Sequence, residues 1–173
     1  FRPDGEELVE QWDSIADATC NACHDQLALH GGSRQALKLC VTCHSPQTID
    51  PYTGNTVDMA VMTHKILMGA NLPSVQAGTP YVIIGHQQTE HDYSDILFSQ
   101  DVRNCATCHT PDAADGHIWY SRPTRAGCAA CHDDVDWETG ANHAAGPQAD
   151  DDACASCHQP EGEREFDASV KGA

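Results

Sequence analysis

The sequence predicts a mainly α-helical chain with much irregular coil and little or no sheet, folded as one domain over residues 1–173. Three observations lead to this fold class. A five-residue pattern, Cys-x-x-Cys-His, recurs five times and uses all ten cysteines. Aromatic residues make up only 6% of the chain, which is little material for a protein core of this size. Apolar residues gather in only two substantial stretches, and one of these has helical periodicity.

An N-terminal helix is predicted at residues 6–17, and the five motifs follow it. The motifs lie at residues 20–24, 40–44, 105–109, 128–132 and 154–158. The short intervals between most of them leave room for a helical turn or two and a loop. Residues 45–55 and 112–124 are rich in Pro, Gly, Asp and Thr, so both segments are predicted to be loops.

The interval between the second and third motifs is the longest, and it holds both apolar stretches. In the first stretch, apolar residues recur at helical spacing at Met59, Met62, Ile66 and, as a further candidate, Leu67. Gly69 and Pro73 are stop signals, so a short amphipathic helix is predicted there. Residues 81–84, between Pro80 and Gly85, are predicted to form one brief strand or an extended packing segment.

Each motif combines two thiols, three positions apart, with an adjacent imidazole. Two such thiols can each add to one vinyl group of a haem, and the imidazole then reaches the iron. The sequence therefore predicts five covalently bound haem c groups. The attachment residues are Cys20, Cys23, Cys40, Cys43, Cys105, Cys108, Cys128, Cys131, Cys154 and Cys157. The proximal iron ligands are His24, His44, His109, His132 and His158.

Three other uses of paired cysteines fit this pattern less well. Neither a four-cysteine zinc site nor a site of two cysteines and two histidines requires a histidine directly after every pair. A redox-active Cys-x-x-Cys unit is expected near a βαβ pattern, and a disulfide framework needs no histidine after each second cysteine. Haem attachment accounts for every cysteine of the chain.

The predicted haems also explain how a chain with few apolar residues could fold. Five large, flat macrocycles supply an apolar interior on which short segments can pack. The predicted architecture is therefore a haem-packed multihaem cytochrome c domain.

Six histidines lie outside the motifs, against five irons that each have one open axial position. They are His30, His64, His86, His91, His117 and His143. This near match favours bis-histidine ligation. Methionine is the alternative ligand and raises the potential of cytochromes c. However, packing accounts for Met59, Met62 and Met68, which lie on the predicted helix.

Iron with six ligands has no vacant position for a substrate. The sequence therefore favours outer-sphere electron transfer over catalysis, and an electron carrier over an enzyme. Because five haems share a short chain, they are expected to lie close together.

The charge and hydropathy of the chain exclude some partners. The net charge of −17 arises from 26 acidic and 9 basic residues, which argues against binding to nucleic acid. No run approaches the 18 or more apolar residues of a membrane span, so no transmembrane segment is predicted. Covalent haem attachment takes place outside the cytoplasm. We therefore expect an exported protein that is extracellular or at the cell surface, or otherwise periplasmic.

Several stretches resemble the pentahaem domain of the OmcA/MtrC-type outer-membrane multihaem cytochromes. They are residues 27–34 (LALHGGSR), 43–46 (CHSP), 63–69 (THKILMG), 91–94 (HDYS), 101–105 (DVRNC), 131–134 (CHDD) and 140–143 (GANH). The resemblance implies a haem-packed, mostly helical and irregular fold. It also implies electron transfer at the outer cell surface toward minerals, soluble shuttles or other cytochromes.

Position by position, the resemblance implies four distal ligands, which are His30, His64, His91 and His143. Two departures stand out. Leu67 occupies a position where the family has a second histidine, so His117 or His86 is expected to supply the fifth distal ligand. This chain has no room for the β-rich domain that accompanies the pentahaem unit in the larger proteins. The sequence therefore predicts either an excised domain or a protein that works alone.

We favour His117 as the fifth ligand, because its polar loop is free to reach a haem that the crowded 86–91 segment does not serve. Two rival functions stay open. The chain could be a subunit that polymerises into a haem filament. It could also be a multihaem reductase if one iron lacked its sixth ligand.

Overall fold

A computed structural model describes residues 13–158 of the chain. Its helices are α1 (Asp17–His24), α2 (Leu37–Cys40), α3 (Met59–Met68), α4 (Pro73–Gln76), α5 (Ile118–Ser121), α6 (Arg125–Ala129) and α7 (Cys154–Cys157). Two strands, β1 (Val82–Ile84) and β2 (Glu90–Asp92), form a hairpin, and single 3-10 turns lie at Gly69–Asn71, His86–Gln88 and Cys105–Thr107. Helices cover about a third of these residues. The prediction of a mainly α fold is therefore right that helix is the main regular secondary structure. However, more of the described residues are coil than helix.

Helix α3 forms where the sequence predicts a helix. The Asp58 side chain caps its first turn by accepting hydrogen bonds from the Ala60 and Val61 N–H groups, at 3.0 and 3.1 Å. The helix ends at Gly69, whose φ of 45° favours glycine. The apolar face of α3 packs on the buried core, so the predicted amphipathic helix is confirmed.

The core lies between α3 and the β1–β2 hairpin. Leu72, Tyr81 and Ile83 are its buried members. The partly buried residues Val57, Met62, Ile66, Met68, Val75 and Tyr93 pack against them. Elsewhere in the described chain, the only buried hydrophobic residues are Ala113 and Ala130. Such a core is small for a chain of this length.

The hairpin is the only sheet in the described chain, which agrees with the predicted low sheet content, although the sequence does not predict a hairpin. The register pairs Val82 with Asp92, Ile83 with His91 and Ile84 with Glu90. The predicted apolar segment at 81–84 thus contains a strand. Its partner β2 has no signal in the sequence, because residues 90–92 are all exposed and show no apolar alternation.

A buried carboxylate ties the hairpin to the loop at residues 45–55. Asp50 is only 3% exposed and accepts a hydrogen bond from the Ile84 N–H at 2.8 Å. Within its own loop, Asp50 also accepts hydrogen bonds from the Tyr52 N–H at 2.9 Å and the Thr53 hydroxyl at 2.6 Å. The predicted loop is therefore confirmed as a well hydrogen-bonded turn that fixes β1.

Two predicted segments differ from the structure. Residues 6–12 of the predicted N-terminal helix lie outside the described residues, but residues 13–16 are not helical and α1 begins at Asp17. The reason is that Asp13 and Asp115 exchange two hydrogen bonds, Asp13 N–H to Asp115 Oδ2 at 2.8 Å and Asp115 N–H to the Asp13 carbonyl at 2.9 Å. These bonds use the backbone groups that a helix at Asp13 would need.

The predicted loop at 112–124 is also only partly correct, because it contains the single turn of α5. This turn packs the Trp119 ring near the His109 ring, with centroids 6.2 Å apart. Among the described residues, no helix has the length and apolar character needed to cross a membrane.

Candidate haem-binding sites

Each of the five motifs forms one turn of helix. The motif at 20–24 is the C-terminal part of α1. In the other four, the N–H of the motif histidine donates to the carbonyl of the first cysteine at 2.8–2.9 Å. Residues at i, i+3 and i+4 share one face of such a turn, so both thiols and the imidazole lie on the same side. All ten cysteines are exposed or half-buried, and none is in a disulfide bond.

Three motif histidines lie opposite a histidine from outside the motifs. The ring centroids of His44 and His30 are 6.0 Å apart, and those of His109 and His64 are also 6.0 Å apart. His158 and His143 are 6.3 Å apart. An imidazole nitrogen binds a metal at about 2 Å, so two rings on opposite faces of one iron have centroids roughly 6 Å apart. The separations of the three pairs match this arrangement.

One ring of each pair is held in a fixed orientation by a backbone carbonyl. The Nδ1 of His44 donates to the Val57 carbonyl at 2.8 Å, that of His64 to the Ala60 carbonyl at 2.7 Å, and that of His143 to the Gly146 carbonyl at 2.8 Å. A carbonyl only accepts, so Nδ1 carries the proton and the lone pair lies on Nε2. Metal-binding histidines typically use their second nitrogen in this way.

The His109 ring of the His109–His64 pair is half-buried. Burial lowers the pKa of His109 and the nearby His64 lowers it further, while the Ser14 backbone acts in the opposite direction. The two rings are nearly parallel, with an interplanar angle of 9°. A neutral imidazole is the form that binds a metal, so this environment suits an iron ligand.

The cysteine thiols reveal which motifs are neighbours in space. Burial raises the pKa of Cys20, and the thiols of Cys108 and Cys40 raise it further. Coulombic interactions weaken with distance, so the first motif lies beside both the third and the second. The pKa of Cys108 is raised by burial and then by Cys23, which supports the first of these contacts.

Interactions between thiols also identify the neighbours of the later motifs. Burial and the Cys105 thiol raise the pKa of Cys131 to about 11, and burial and the Cys154 thiol raise the pKa of Cys128. The fourth motif therefore lies between the third and the fifth. These interactions link the motifs in the order 40–44, 20–24, 105–109, 128–132 and 154–158.

A cleft of about 400 Å³ opens beside the fourth motif. Its apolar walls come from Val61 of α3, from Ala126 and Ala129 of α6, and from Trp137. The Arg125–Asp151 ion pair, with Nε and Oδ1 2.8 Å apart, completes the lining and joins α6 to the segment before α7. Apolar walls next to Cys128 suit a flat apolar ring.

The other predicted distal ligands do not lie in such pairs. His91 is exposed on β2, and its ring is 6.4 Å from that of Tyr93. His86 is exposed in the hairpin turn, and His117 is exposed just before α5. Within the described residues, neither His24 nor His132 has a second imidazole at the distance seen in the three pairs.

The donor groups fit covalently bound haem. In the described residues, no three His, Cys, Asp or Glu side chains gather as ligands of a bare metal ion. What the chain offers instead is opposed imidazole pairs with protonated Nδ1 atoms and thiols on the same helical face. These are the groups that hold a c-type haem.

Several carboxylates that organise the site were missed by sequence reasoning. Asp17 accepts a hydrogen bond from the Leu37 N–H at 2.7 Å and so joins α1 to α2, which lead into the first two motifs. A repeated Asp-x-x-Thr-Gly sequence at 50–54 and 136–140 could have revealed two matching turns. In each turn the glycine N–H donates to the aspartate carbonyl at 2.8 Å.

Comparisons with known proteins agree with this geometry. The family described as "Outer membrane cytochrome MtrC/MtrF-like, domains II/IV" matches residues 13–169. A crystal structure of the outer membrane decaheme cytochrome OmcA is similar over 90% of this chain and 23% of that one, with 27% identity and a TM-score of 0.68. A crystal structure of MtrC from Shewanella baltica OS185 is similar over 89% and 21%, with 25% identity and a TM-score of 0.58.

The chain therefore spans less than a quarter of the length of these two structures. Among curated protein sequences, none matches it.

Proposed function

The chain belongs to the family of outer membrane cytochrome MtrC/MtrF-like domains II/IV, and from this premise we propose that it transfers electrons through five bis-histidine haem c groups. Membership confirms the resemblance inferred from the sequence. It also confirms the predicted extracellular or cell-surface location, because the family consists of outer membrane cytochromes.

The observation that carries the proposal is the set of three imidazole pairs. Each pair combines a motif histidine with a distal candidate, at 6.0–6.3 Å. A haem iron bound between such rings supplies one-electron redox chemistry at low potential. The protein supplies two nitrogen ligands to each iron, which leaves no vacant position for a substrate. It also fixes the spacing of the motifs.

For the third, second and fifth motifs, the distal ligands in this proposal are His64, His30 and His143. The carbonyl-bound Nδ1 atoms of His44, His64 and His143 fix one ring of each pair, and this limits reorganisation when the charge of the iron changes.

For the fourth motif we propose His91. Its ring is 6.4 Å from that of Tyr93, and the Tyr93 ring is 6.1 Å from that of Tyr81. The Tyr81 ring in turn lies 5.1 Å from the Lys65 Nζ, and Lys65 binds the Asp133 carboxylate directly after His132. This run of contacts leads from β2 to the fourth motif.

For the first motif we propose His117. It lies two residues after Asp115, whose two hydrogen bonds with Asp13 hold the 110–117 loop against the segment that leads into α1. The first motif belongs to α1, so this contact brings the loop toward it.

The spatial order of the motifs supports a row rather than a cluster. We propose that the motifs at 40–44 and 154–158 form the ends, because the thiol interactions link each of the other three motifs to two neighbours. We propose that electrons enter and leave at these ends, and that the external partners are other cytochromes, soluble shuttles or minerals.

The mature chain, purified after co-expression with haem-attachment machinery, tests the proposal. We expect five covalent haems per chain by pyridine haemochrome and an entirely low-spin ferric spectrum. His30→Ala, His64→Ala and His143→Ala should each convert one haem to high spin. His86→Ala is the matched control and should change nothing, because the proposal assigns the five distal positions to the other five histidines. Fewer than five haems, or high-spin iron in the unmodified chain, would contradict the proposal and favour a reductase.

A further inference from the structure

Lys65 and Asp133 form the most buried ion pair of the described chain. The Lys65 Nζ lies 2.8 Å from the Asp133 Oδ2, and the two side chains are 16% and 6% exposed. The other ion pairs in residues 13–158 are more open, for example Lys38–Asp13, whose side chains are 83% and 40% exposed. Charges buried to this degree are screened little by water or salt.

Both members of the pair have additional partners. The Asp133 carboxylate accepts hydrogen bonds from the Ser74 N–H at 3.0 Å and from the Ser74 hydroxyl at 2.6 Å. The Lys65 Nζ lies 5.1 Å from the centre of the Tyr81 ring, in the geometry of a cation–π contact. The pair thus joins α3, the start of α4 and the segment after the fourth motif in one fixed arrangement.

The pair lies where the third and fourth motifs meet. Lys65 follows His64, whose ring faces the third-motif histidine His109 at 6.0 Å. Asp133 directly follows the fourth-motif histidine His132. In the chain, the positive member is thus adjacent to the histidine paired with the third motif, and the negative member is adjacent to the fourth motif.

We propose that Lys65 and Asp133 are positioning residues that create a step in reduction potential between the third and fourth motifs. This inference rests on the proposed function. Reduction adds one negative charge to an iron site, so the nearby ammonium favours reduction at the third motif and the nearby carboxylate disfavours it at the fourth. Electron transfer from the fourth motif to the third is thereby made downhill.

Redox titrations followed by EPR, which separates low-spin ferric signals, can test the step. In Lys65→Met the buried carboxylate is unopposed, so the third-motif site should become harder to reduce, by about tenfold in the reduction equilibrium constant, or about 59 mV, and the fourth-motif site by less. In Asp133→Asn the ammonium is unopposed, so the fourth-motif site should become easier to reduce by a similar factor, and the third-motif site by less. Each substitution should therefore narrow the gap between the two potentials, and the double variant should narrow it most.

The opposite signs separate this proposal from a merely structural role. If the pair only held the fold together, either substitution would loosen the same packing and shift both potentials in the same direction. Shifts of the same sign, or shifts below twofold in both single variants, would overturn the proposal.

Three controls complete the design. Lys65→Arg keeps the charge and should keep both potentials. Lys38→Met breaks an exposed ion pair and should leave every potential unchanged. Haem count and spin state are measured for each variant, so failure of the proposed function, seen as missing or high-spin haem, is distinct from failure of the potential step. If Lys65→Met does not fold, Asp133→Asn still decides the sign, because only a rise in the fourth-motif potential agrees with the proposal.

Discussion

At the scale of single residues, the histidines divide by what holds their rings. His44, His64 and His143 donate from Nδ1 to a backbone carbonyl and face a second imidazole. His86, His91 and His117 are exposed, and none of them faces a motif histidine in the described chain. The Nδ1 hydrogen bonds therefore mark rings that are already oriented toward a second imidazole.

This division gives a prediction for the fifth distal ligand. His117→Ala should convert one haem to high spin, because its loop is hydrogen-bonded to the segment before α1 through Asp115 and Asp13. His86→Ala should be silent. Optical and EPR spectra of the ferric variants measure both outcomes. Two silent substitutions would mean that a methionine or another chain supplies the ligand.

Aspartate side chains connect the elements that carry the motifs. Asp17 joins α1 to α2, Asp50 joins the 45–55 loop to β1, and Asp151 joins α6 to the segment before α7. A strongly acidic composition is usually interpreted as a solvated surface. Here some of that charge holds neighbouring motifs in place.

The hydrogen bonds of Asp50 predict a pH dependence of stability. Burial acts to raise its pKa, but hydrogen bonds from Thr53, Ile84 and Tyr52 outweigh this and lower it. A carboxyl group whose folded pKa is lowered stabilises the fold above its unfolded pKa, and this stability is lost as the pH falls through the folded value. Asp50→Asn should therefore lower the urea midpoint at pH 7 much more than at pH 3.

The control for this prediction is Asp134→Asn, because Asp134 is exposed and its side chain forms no hydrogen bond within the described residues. Its effect on the urea midpoint should be small at both pH values. An Asp50→Asn effect that is equal at pH 7 and pH 3 would contradict the assignment.

At the scale of elements, local signals predict α3 and β1 but not their partners. The spacing of Met59, Met62 and Ile66 identifies α3, since one apolar face suffices to mark a helix. The motif turns are also predictable, because five residues contain the whole signal. Strand β2 has no such signal, because it is fixed only by pairing with β1.

Contacts between distant residues account for the remaining differences. The non-helical start at Asp13 depends on Asp115, which is remote in sequence. Which distal histidine faces which motif depends likewise on how α3 and the loops fold back. The sequence therefore identifies His30, His64 and His143 as candidates but cannot assign their partners.

Gly69 provides a test of how α3 is anchored. A Cβ at this position would collide with the Ile96 carbonyl and side chain, and its φ of 45° disfavours other residues. Gly69→Ala should destabilise the chain by about 1–3 kcal/mol through overcrowding, in addition to the backbone cost. Thermal or urea unfolding measures the loss.

Gly78→Ala is the matched control for this substitution. Gly78 has a φ of 93°, but no atom lies within 4 Å of the position that a Cβ would take, so only the backbone cost of roughly 1–2 kcal/mol applies. Equal losses for the two variants would show that the Ile96 contact does not anchor the end of α3.

At the scale of the whole molecule, the protein has too little apolar interior to fold alone. Within residues 13–158, only Leu72, Tyr81, Ile83, Ala113 and Ala130 are buried hydrophobic residues. The motif helices α1, α2, α6 and α7 contain no buried residue. These helices need another apolar surface to pack on.

The haem-free chain should therefore be largely unfolded. Expression without haem-attachment machinery should yield protein with a coil-like circular dichroism spectrum, no cooperative thermal transition and fast amide exchange outside the α3–hairpin core. The haem-loaded chain from the same sequence is the control. A cooperative transition in the haem-free chain would mean that the protein core is sufficient.

The reduction curve of the haem-loaded chain provides a test of the row as a whole. Five identical, independent one-electron centres would pass from one-tenth to nine-tenths reduced over about 110 mV. The electrostatic interactions between thiols link each motif to a neighbour, so each reduction should disfavour the next one and widen the curve beyond this value. Bis-histidine ligation should keep the whole curve at low potential, because methionine is the axial ligand that raises it. His30→Met should accordingly move one-fifth of the absorbance change to higher potential and shift the rest only slightly, since the motif at 40–44 has one neighbour in the proposed row. A single sharp wave at high positive potential in the unmodified chain would instead indicate methionine ligands and isolated haems. The proposal that electrons pass along a row of five haems would then be wrong.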